Sequence, residues 1–358
     1  MIKSLILFFS LCFHSYGSDR CLDKLKSVNY QQYENKHSKN FSLLYNHKGS
    51  YMLKSGEYLY TNESRRAFTE CNKAVVLKKN PKRIALMSST LLEVFYELNI
   101  DHKIVGVGDK KYVYRQSQNL KNAKDLGTIP SVEKIFSIKP DVLIGYDSPA
   151  LKPFYLKCIK LGIKVIAVND YLERHPLARA ELRVLIGAIA GSLDTAVAKY
   201  EQILGKYNSY KKSVTQKRGV LLGSPTSDGL WKNVSVESDF YKIVLDAGGF
   251  NVISSLEDQL INPEKIFKYV EMIEYWLPQK TYLSRKQIME ESNFTKLLLS
   301  RASFEITTYT KKMNNIGGAE YWDVAMMRPD LLLFDLINVL ETSKDSDPEK
   351  TRWYQLVK

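Results

Sequence analysis

The spacing of apolar residues changes along this chain in a regular order. From residue 81, short runs of Ile, Val and Leu alternate with stretches whose apolar residues recur every three or four positions. PKRIALMSS, KIVGVG, KPDVLIGYDS and IKVIAVND read as strands, with TLLEVFYELNI, SVEKIFSI and ALKPFYLKCIKLG as helices between them. Unbroken apolar strands separated by helices predict a parallel sheet covered on both faces. Ligands of such sheets sit at the carboxyl ends of the strands. Here those ends are Met87-Ser88-Ser89, Gly108-Asp109, Asp147-Ser148 and Asn169-Asp170-Tyr171.

The pattern then turns helical. HPLARAELRVLIGAIAG has apolar positions at 182, 185, 186 and 189 and closes at Gly191, and Asp194 is expected to cap TAVAKYEQILGKYNSYKKSV. That second helix is about 30 Å long at about 1.5 Å per residue. Strands return with RGVLLGS, NVIS, IEYWLP and FEITTYT, separated by the helices DFYKIVLDAGG, NPEKIFKYVEM and ESNFTKLLLSR. RPDLLLFDLINVLE closes the chain as an amphipathic helix. The expected fold is α/β: two Rossmann-like lobes, residues 81–175 and 216–358, joined through connecting helices at 176–215. Residues 18–80 form a polar, Tyr- and Lys-rich extension with a hairpin turning near His47-Lys48-Gly49.

One tetrapeptide occurs in both halves. SVEKIF spans 131–136 and NPEKIF spans 262–267, each with a capping residue, Ser131 or Asn262, and a glutamate two places on, Glu133 or Glu264. An acid in a first helical turn suits the helix dipole, which explains either copy alone but not their likeness.

Composition adds limits. The chain has 358 residues, 44% hydrophobic, enough for two domains with real cores. The net charge of +13 favours acidic partners, but Lys and Arg are spread along the sequence with no zinc-finger or RNP spacing, so nucleic acid is not expected. Lys3, the apolar run Leu5 to Phe13 and Ser15-Tyr16-Gly17 read as a signal peptide cut after Gly17, giving an exported, soluble protein. Cys12 leaves with it; Cys21 and Cys71 are free to pair in an oxidising compartment, and Cys158 lies on an apolar helical face as a core thiol. No GxxxxGK[ST], GxSxG, HExxH or CxxC is present, and the four later histidines, His37, His47, His102 and His175, lack metal-ligand spacing. Neither a cofactor nor catalysis is expected.

PKRIALMSSTLLEVFYELNIDHKIVGVGD, LGTIPSVEKIFSIKPDVLIGYDS, LGIKVIAVND, NDYLERHPLARAELRVLIGAIAG and the long connecting helix resemble the periplasmic binding proteins of iron-siderophore, haem and cobalamin ABC importers, over about 81–340. The resemblance implies a class III architecture of two lobes bridged by a rigid helix, with the ligand held between them. It implies a monomer that hands a metal chelate to an ABC permease in the inner membrane, docking through Glu133 on one lobe and Glu264 on the other. It places the cleft on Tyr112, Tyr114, Arg115, Tyr146, Asp147 and Tyr171 from lobe one, and on Trp231, Arg301, Tyr321 and Trp322 from lobe two. Aromatic residues suit a macrocycle or catecholate and arginines suit anionic oxygens, although each aromatic taken alone also fits core packing. His175 is read as a capping histidine in preference to a haem ligand. A ferric siderophore leads, with cobalamin and haem behind it. A two-lobed exported enzyme and a ligand-free interaction protein are the readings from other classes.

Overall fold

The computed structural model describes residues 30–56, 58–63, 74–128, 130–256, 259–301, 303–341 and 350–358. The expected signal peptide, Cys21 and Cys71 lie outside the described residues.

The extension is more than a hairpin. Among the described residues it is a sheet of β1 (Gln31–Gln32), β2 (Phe41–Tyr45), β3 (Tyr51–Ser55), β4 (Tyr58–Thr61) and β5 (Val75–Val76), in that order. The hairpin is its centre: Leu43 faces Leu53 across β2 and β3, and Gly49 turns the chain at φ 72°.

Lobe one follows as β6 (Ile84–Leu86), α1 (Leu92–Glu97), β7 (Ile104–Val107), α2 (Gln118–Asn122), β8 (Lys124–Asp125), α3 (Val132–Ile138), β9 (Val142–Gly145), α4 (Lys152–Lys160) and β10 (Val165–Ala167). Its sheet runs β10-β9-β6-β7-β8, all parallel. The connectors are α5 (Pro176–Ala190) and α6 (Leu193–Ser213). His175 caps α5, its Nδ1 accepting from the Leu177 N–H at 3.1 Å, and Gly191 closes it at φ 75°. Ser192, not Asp194, stands at the cap position of α6, and Asp194 lies in its first turn. A Cβ on Gly187 would come within 2.4 Å of the Ala196 Cβ, so glycine sets how closely the two connectors pack.

Lobe two contains β11 (Arg218–Leu222), β12 (Ser224–Pro225), β13 (Trp231–Lys232), α7 (Asp239–Asp246), β14 (Gly249–Asn251), β15 (Leu260–Ile261), a 3₁₀ helix at Pro263–Met272 and β16 (Tyr275–Leu277). It continues with α8 (Arg285–Glu291), α9 (Asn293–Arg301), β17 (Glu305–Thr308), a π-helical turn at Tyr321–Ala325, α10 (Pro329–Glu341) and β18 (Gln355–Leu356). Helix α8 was not expected from the polar SRKQIMEES. The main sheet runs β14-β11-β16-β17-β18, and its first four strands repeat the lobe-one order β7-β6-β9-β10. The two EKIF segments lead into the equivalent strands β9 and β16, so the sequence repeat is a repeat of architecture.

Strand alternation divides the interior. Ile84 and Leu86 of β6 enter one core while Ala85 enters another; Val220 and Leu222 of β11 enter that same first core while Leu221 faces away. This is the two-residue period of a sheet buried on both faces. The shared core also takes Leu43 from the extension, Leu185 and Tyr200 from the connectors and Leu336 from α10. Separate outer cores lie beneath α3 and α4 in lobe one and beneath the 3₁₀ helix, α8 and α9 in lobe two. Cys158 is fully buried in the first of these, its thiol pushed up to about 11 by burial.

The extension is pinned by two buried carboxylates, Glu181 and, through the Ser38 hydroxyl at 2.5 Å, Glu173. Glu181 on α5 accepts from the backbone N–H groups of Lys36, His37 and Ser38 at 2.7, 2.8 and 2.6 Å and from the Tyr33 hydroxyl at 3.0 Å. His37 stacks on His175 at 4.8 Å and bonds the Tyr200 hydroxyl at 2.6 Å. Glu181→Ala strips an acceptor from four donors, each worth about 1–3 kcal/mol when left buried and unpaired, although the loop regains water. The expected loss is about 2–4 kcal/mol in urea unfolding, with faster tryptic cleavage at Lys36 and Lys39. Unchanged unfolding and cleavage would contradict this anchor.

Candidate functional site

The strand ends of the two lobes face each other across α5. A cavity of about 170 Å³ lies where α5 packs on lobe two; its lining includes Arg179 from α5, Asp239 and Phe240 from α7, Gln279 from the loop after β16, and Tyr321 and Trp322 from the π-helical turn, and no residue of lobe one. Arg179 Nη2 pairs with Asp239 at 2.9 Å and its Nη1 lies 2.9 Å from the Met326 sulfur. Its Nε is buried without a hydrogen-bond partner. A buried guanidinium N–H without an acceptor is costly, which makes Arg179 the polar anchor of this cavity. Trp322 is about half exposed and packs edge-on to Tyr309 and Tyr321.

The cleft is closed on one side. The loop after β7 meets the segment before α10: Asp323 accepts from the Tyr114 N–H at 2.7 Å, and a Cβ on Gly318 would lie 1.9 Å from the Tyr112 carbonyl. Arg115 pairs with Glu93 at 3.4 Å and lies over the Tyr96 ring at 4.5 Å. Burial, reinforced by the charge of Glu97, pushes the Glu93 carboxyl up to about 7. Tyr112, Tyr114 and Arg115 therefore belong to this seam, not to the cavity wall. Tyr146, Asp147 and Tyr171 gather at the opposite edge of the sheet, where the Tyr171 hydroxyl donates to the Asp147 carbonyl at 2.7 Å; none of the three lines the cavity.

Two residues expected in the cleft lie elsewhere. Trp231 is fully buried beneath the lobe-two sheet, stacked near Trp276 at 5.4 Å, with its Nε1–H donating to the Leu222 carbonyl at 3.1 Å. Its polar neighbours form the β12–β13 turn while the indole folds inward, and a Cβ on Gly223 would come within 2.6 Å of Nε1. Arg301 ends α9, which leads back to the start of β17, and its guanidinium covers the Phe267 ring at 5.1 Å. It is at the strand-start edge, away from the cleft. Tyr321 is almost wholly buried, stacked on Tyr309 at 4.3 Å, and reaches the cavity only with part of its surface. Arg179, Asp239 and Gln279 carried no sequence signal, because the pairing of 179 with 239 is made only by the fold.

Glu133 and Glu264 are both exposed in first helical turns. Ser131 Oγ accepts from the Lys134 N–H at 3.2 Å, and Asn262 Oδ1 accepts from the Glu264 N–H at 2.9 Å. The Glu133 carboxyl is lowered by its own backbone N–H and by the Ser131 hydroxyl.

Two α/β lobes of matching topology are joined through a shared helix. The family described as periplasmic binding protein matches residues 84–297, and the chain belongs to it. A curated relative, the uncharacterized ABC transporter substrate-binding lipoprotein YvrC of Bacillus subtilis, is 26% identical over 172 residues, 48% of this chain and 52% of that protein. The chain thus spans about half the length of that relative. Among solved structures, a possible iron-binding (periplasmic solute-binding) protein of Staphylococcus epidermidis aligns at TM-score 0.57 and 16% identity, over 74% of this chain and all of that one. The periplasmic heme binding protein HutB of Vibrio cholerae aligns at TM-score 0.53 and 16% identity, over 70% and 98%. At this identity the two structures establish the fold. Among the described residues no helix is long and apolar enough to cross a membrane.

The lobe seam is sensitive to pH. Burial raises the Asp323 carboxyl from 3.8 to about 6, against its bonds from Tyr114 and Arg115. As pH rises from about 4 to 6 the unfolded chain releases this proton while the folded chain retains it, so stability falls across that window. Asp323→Asn removes the titration. Relative to the parent protein, the variant should gain up to about 3 kcal/mol between pH 4 and pH 7 in urea unfolding. An identical difference at both pH values would contradict the assignment.

Proposed function

We propose that this protein captures a metal chelate, an iron complex of an organic ligand, between its lobes and delivers it to an ABC permease. The reading is carried by the two-lobed binding-protein fold, supported by a cavity at the contact of α5 with lobe two whose lining includes Trp322 and Arg179, the latter with a partnerless Nε–H. A chelated metal presents flat or apolar organic faces and anionic oxygens, which an aromatic wall and a guanidinium complement. A ferric siderophore fits this chemistry, and so does haem; the heme-binding protein of the same fold supports haem as the second reading. Cobalamin remains in the ligand panel.

Delivery assigns a role to the paired glutamates. Equivalent, exposed carboxylates on two lobes of like topology suit a permease of two-fold symmetry carrying basic residues. Glu133 and Glu264 are proposed as those contacts.

Trp231, Trp276 and Trp353 are fully buried, which leaves Trp322 as the fluorescent reporter of the cavity. A titration with ferric catecholate, ferric hydroxamate, ferric citrate, haem and cobalamin should give saturable quenching by one of them. Arg179→Ala should weaken that ligand by about tenfold or more, the worth of a charge-assisted bond. The Glu133→Lys/Glu264→Lys pair should leave the titration unchanged while cellular uptake is lost. Silence across the panel would sink the binding role, and unchanged uptake would sink the docking role alone.

A further inference from the structure

Helix α4 is amphipathic on its inner side, where Phe154 and Cys158 enter the outer core of lobe one. Its outward stripe is again apolar. Leu156, Ile159 and the following Leu161 are each more than half exposed, as is Phe136 on the neighbouring α3. Single exposed aliphatic residues are ordinary, but three within six positions on one short element form a patch.

The border of the patch is mainly basic, with one acid, Glu133 on α3, near Lys157. Lys152, Lys157, Lys160 and Lys164 are all exposed, and α4 itself, KPFYLKCIK, contains no acid. Lys152, Leu156, Ile159 and Lys160 fall on one helical face by their spacing. Among the described residues, Lys152, Lys160 and Lys164 have no carboxylate within ion-pair distance. The outer layer of lobe two provides the contrast. It carries an apolar groove of about 520 Å³ lined by Met289, Leu297 and Leu299, but Lys286 pairs with Glu290 at 3.8 Å and Lys280 pairs with Glu291. Helix α8 there contributes Glu290 and Glu291, so that face carries both signs although Arg285 and Lys296 of the groove have no ion pair among the described residues, whereas α4 has no acid of its own.

We infer that the outer face of α4 rests on an anionic lipid surface. Aliphatic side chains ringed by unpaired lysines are the chemistry of an interfacial helix, with apolar tips entering the acyl boundary and ammonium groups meeting lipid phosphates. A neutral bilayer supplies only the apolar part, and a free anion only the charge.

The test is co-sedimentation of the full chain with vesicles of equimolar phosphatidylglycerol and phosphatidylcholine, against vesicles of phosphatidylcholine alone. Binding is expected to the first and not the second, and to fall as salt screens the lysines. Leu156→Ser/Ile159→Ser should cut binding by about tenfold or more, since two aliphatic side chains are withdrawn from the interface. Lys152→Glu/Lys160→Glu should abolish it, and Met289→Ser/Leu297→Ser on lobe two should change nothing. All these positions are exposed, and a thermal melt checks that each variant folds. Equal binding by the α4 variants, loss of binding in the lobe-two variant, or a dimer dissolved by Leu156→Ser/Ile159→Ser would each overturn the inference. In the last case the patch is a contact between copies of the chain.

Discussion

One carboxylate ties lobe one to both the connector and lobe two. Glu97, the last residue of α1 in lobe one, meets Arg183 of the connector α5 and also Arg328, ahead of α10 in lobe two, at 3.0 Å. Arg183 is fully buried, donates to the Ala180 carbonyl at 2.8 Å and to the Met327 carbonyl, and has nowhere to find water. Arg328 is held in turn by both oxygens of Asp330 at 2.8 and 2.7 Å. A buried cation such as Arg183 is tolerable only while its anion stays in place; removing the partner of a buried charge costs about 3–5 kcal/mol. A separation of the lobes at this point would strand the fully buried Arg183, while Arg328 would keep Asp330. The constraint therefore fixes the relative placement of lobe one, connector and lobe two, and it is reinforced by the core that all three share.

That fixed placement shapes the site. The seam at Tyr112–Arg115 is closed by Asp323, and α5 contributes Pro176 and Arg179 to the cavity lining. Arg179 lies one helical turn before Arg183 on that same helix. The helix that carries the structural cation network thus also contributes Arg179, paired with Asp239 through Nη2 and without a partner at Nε, to the cavity lining.

Much of this was legible in the sequence. Unbroken Ile and Val runs located the strands, because a sheet buried on both faces leaves no polar alternation, and the repeated EKIF marked equivalent helices. The site was legible only in part. Trp322 stood out as an aromatic in a polar stretch, and the structure places it in the cavity wall. Trp231 stood out on the same grounds and is core, because the polarity of its neighbours reflects a hairpin turn rather than the direction of its own ring. Arg301 fails for a reason the sequence contained: the last residue of a helix feeding a parallel strand sits at the strand's start. Arg179 and Asp239 are distant in sequence, and nothing local announces their pairing. The lysines of α4 appear evenly spread along the chain and become a cluster only when the helix winds them onto a common side with Leu156 and Ile159.

The most direct measurement is the distance between spin labels, one in each lobe at the exposed positions Lys124 and Lys265, by double electron–electron resonance with and without saturating ligand. A cation network and core shared between lobes predict a single narrow distance that moves by no more than about 2 Å when ligand binds, the scale of rearrangement in preorganised complexes. Two populations, or a shift of many ångströms, would show lobes that swing apart, and would contradict a structure held together through Glu97.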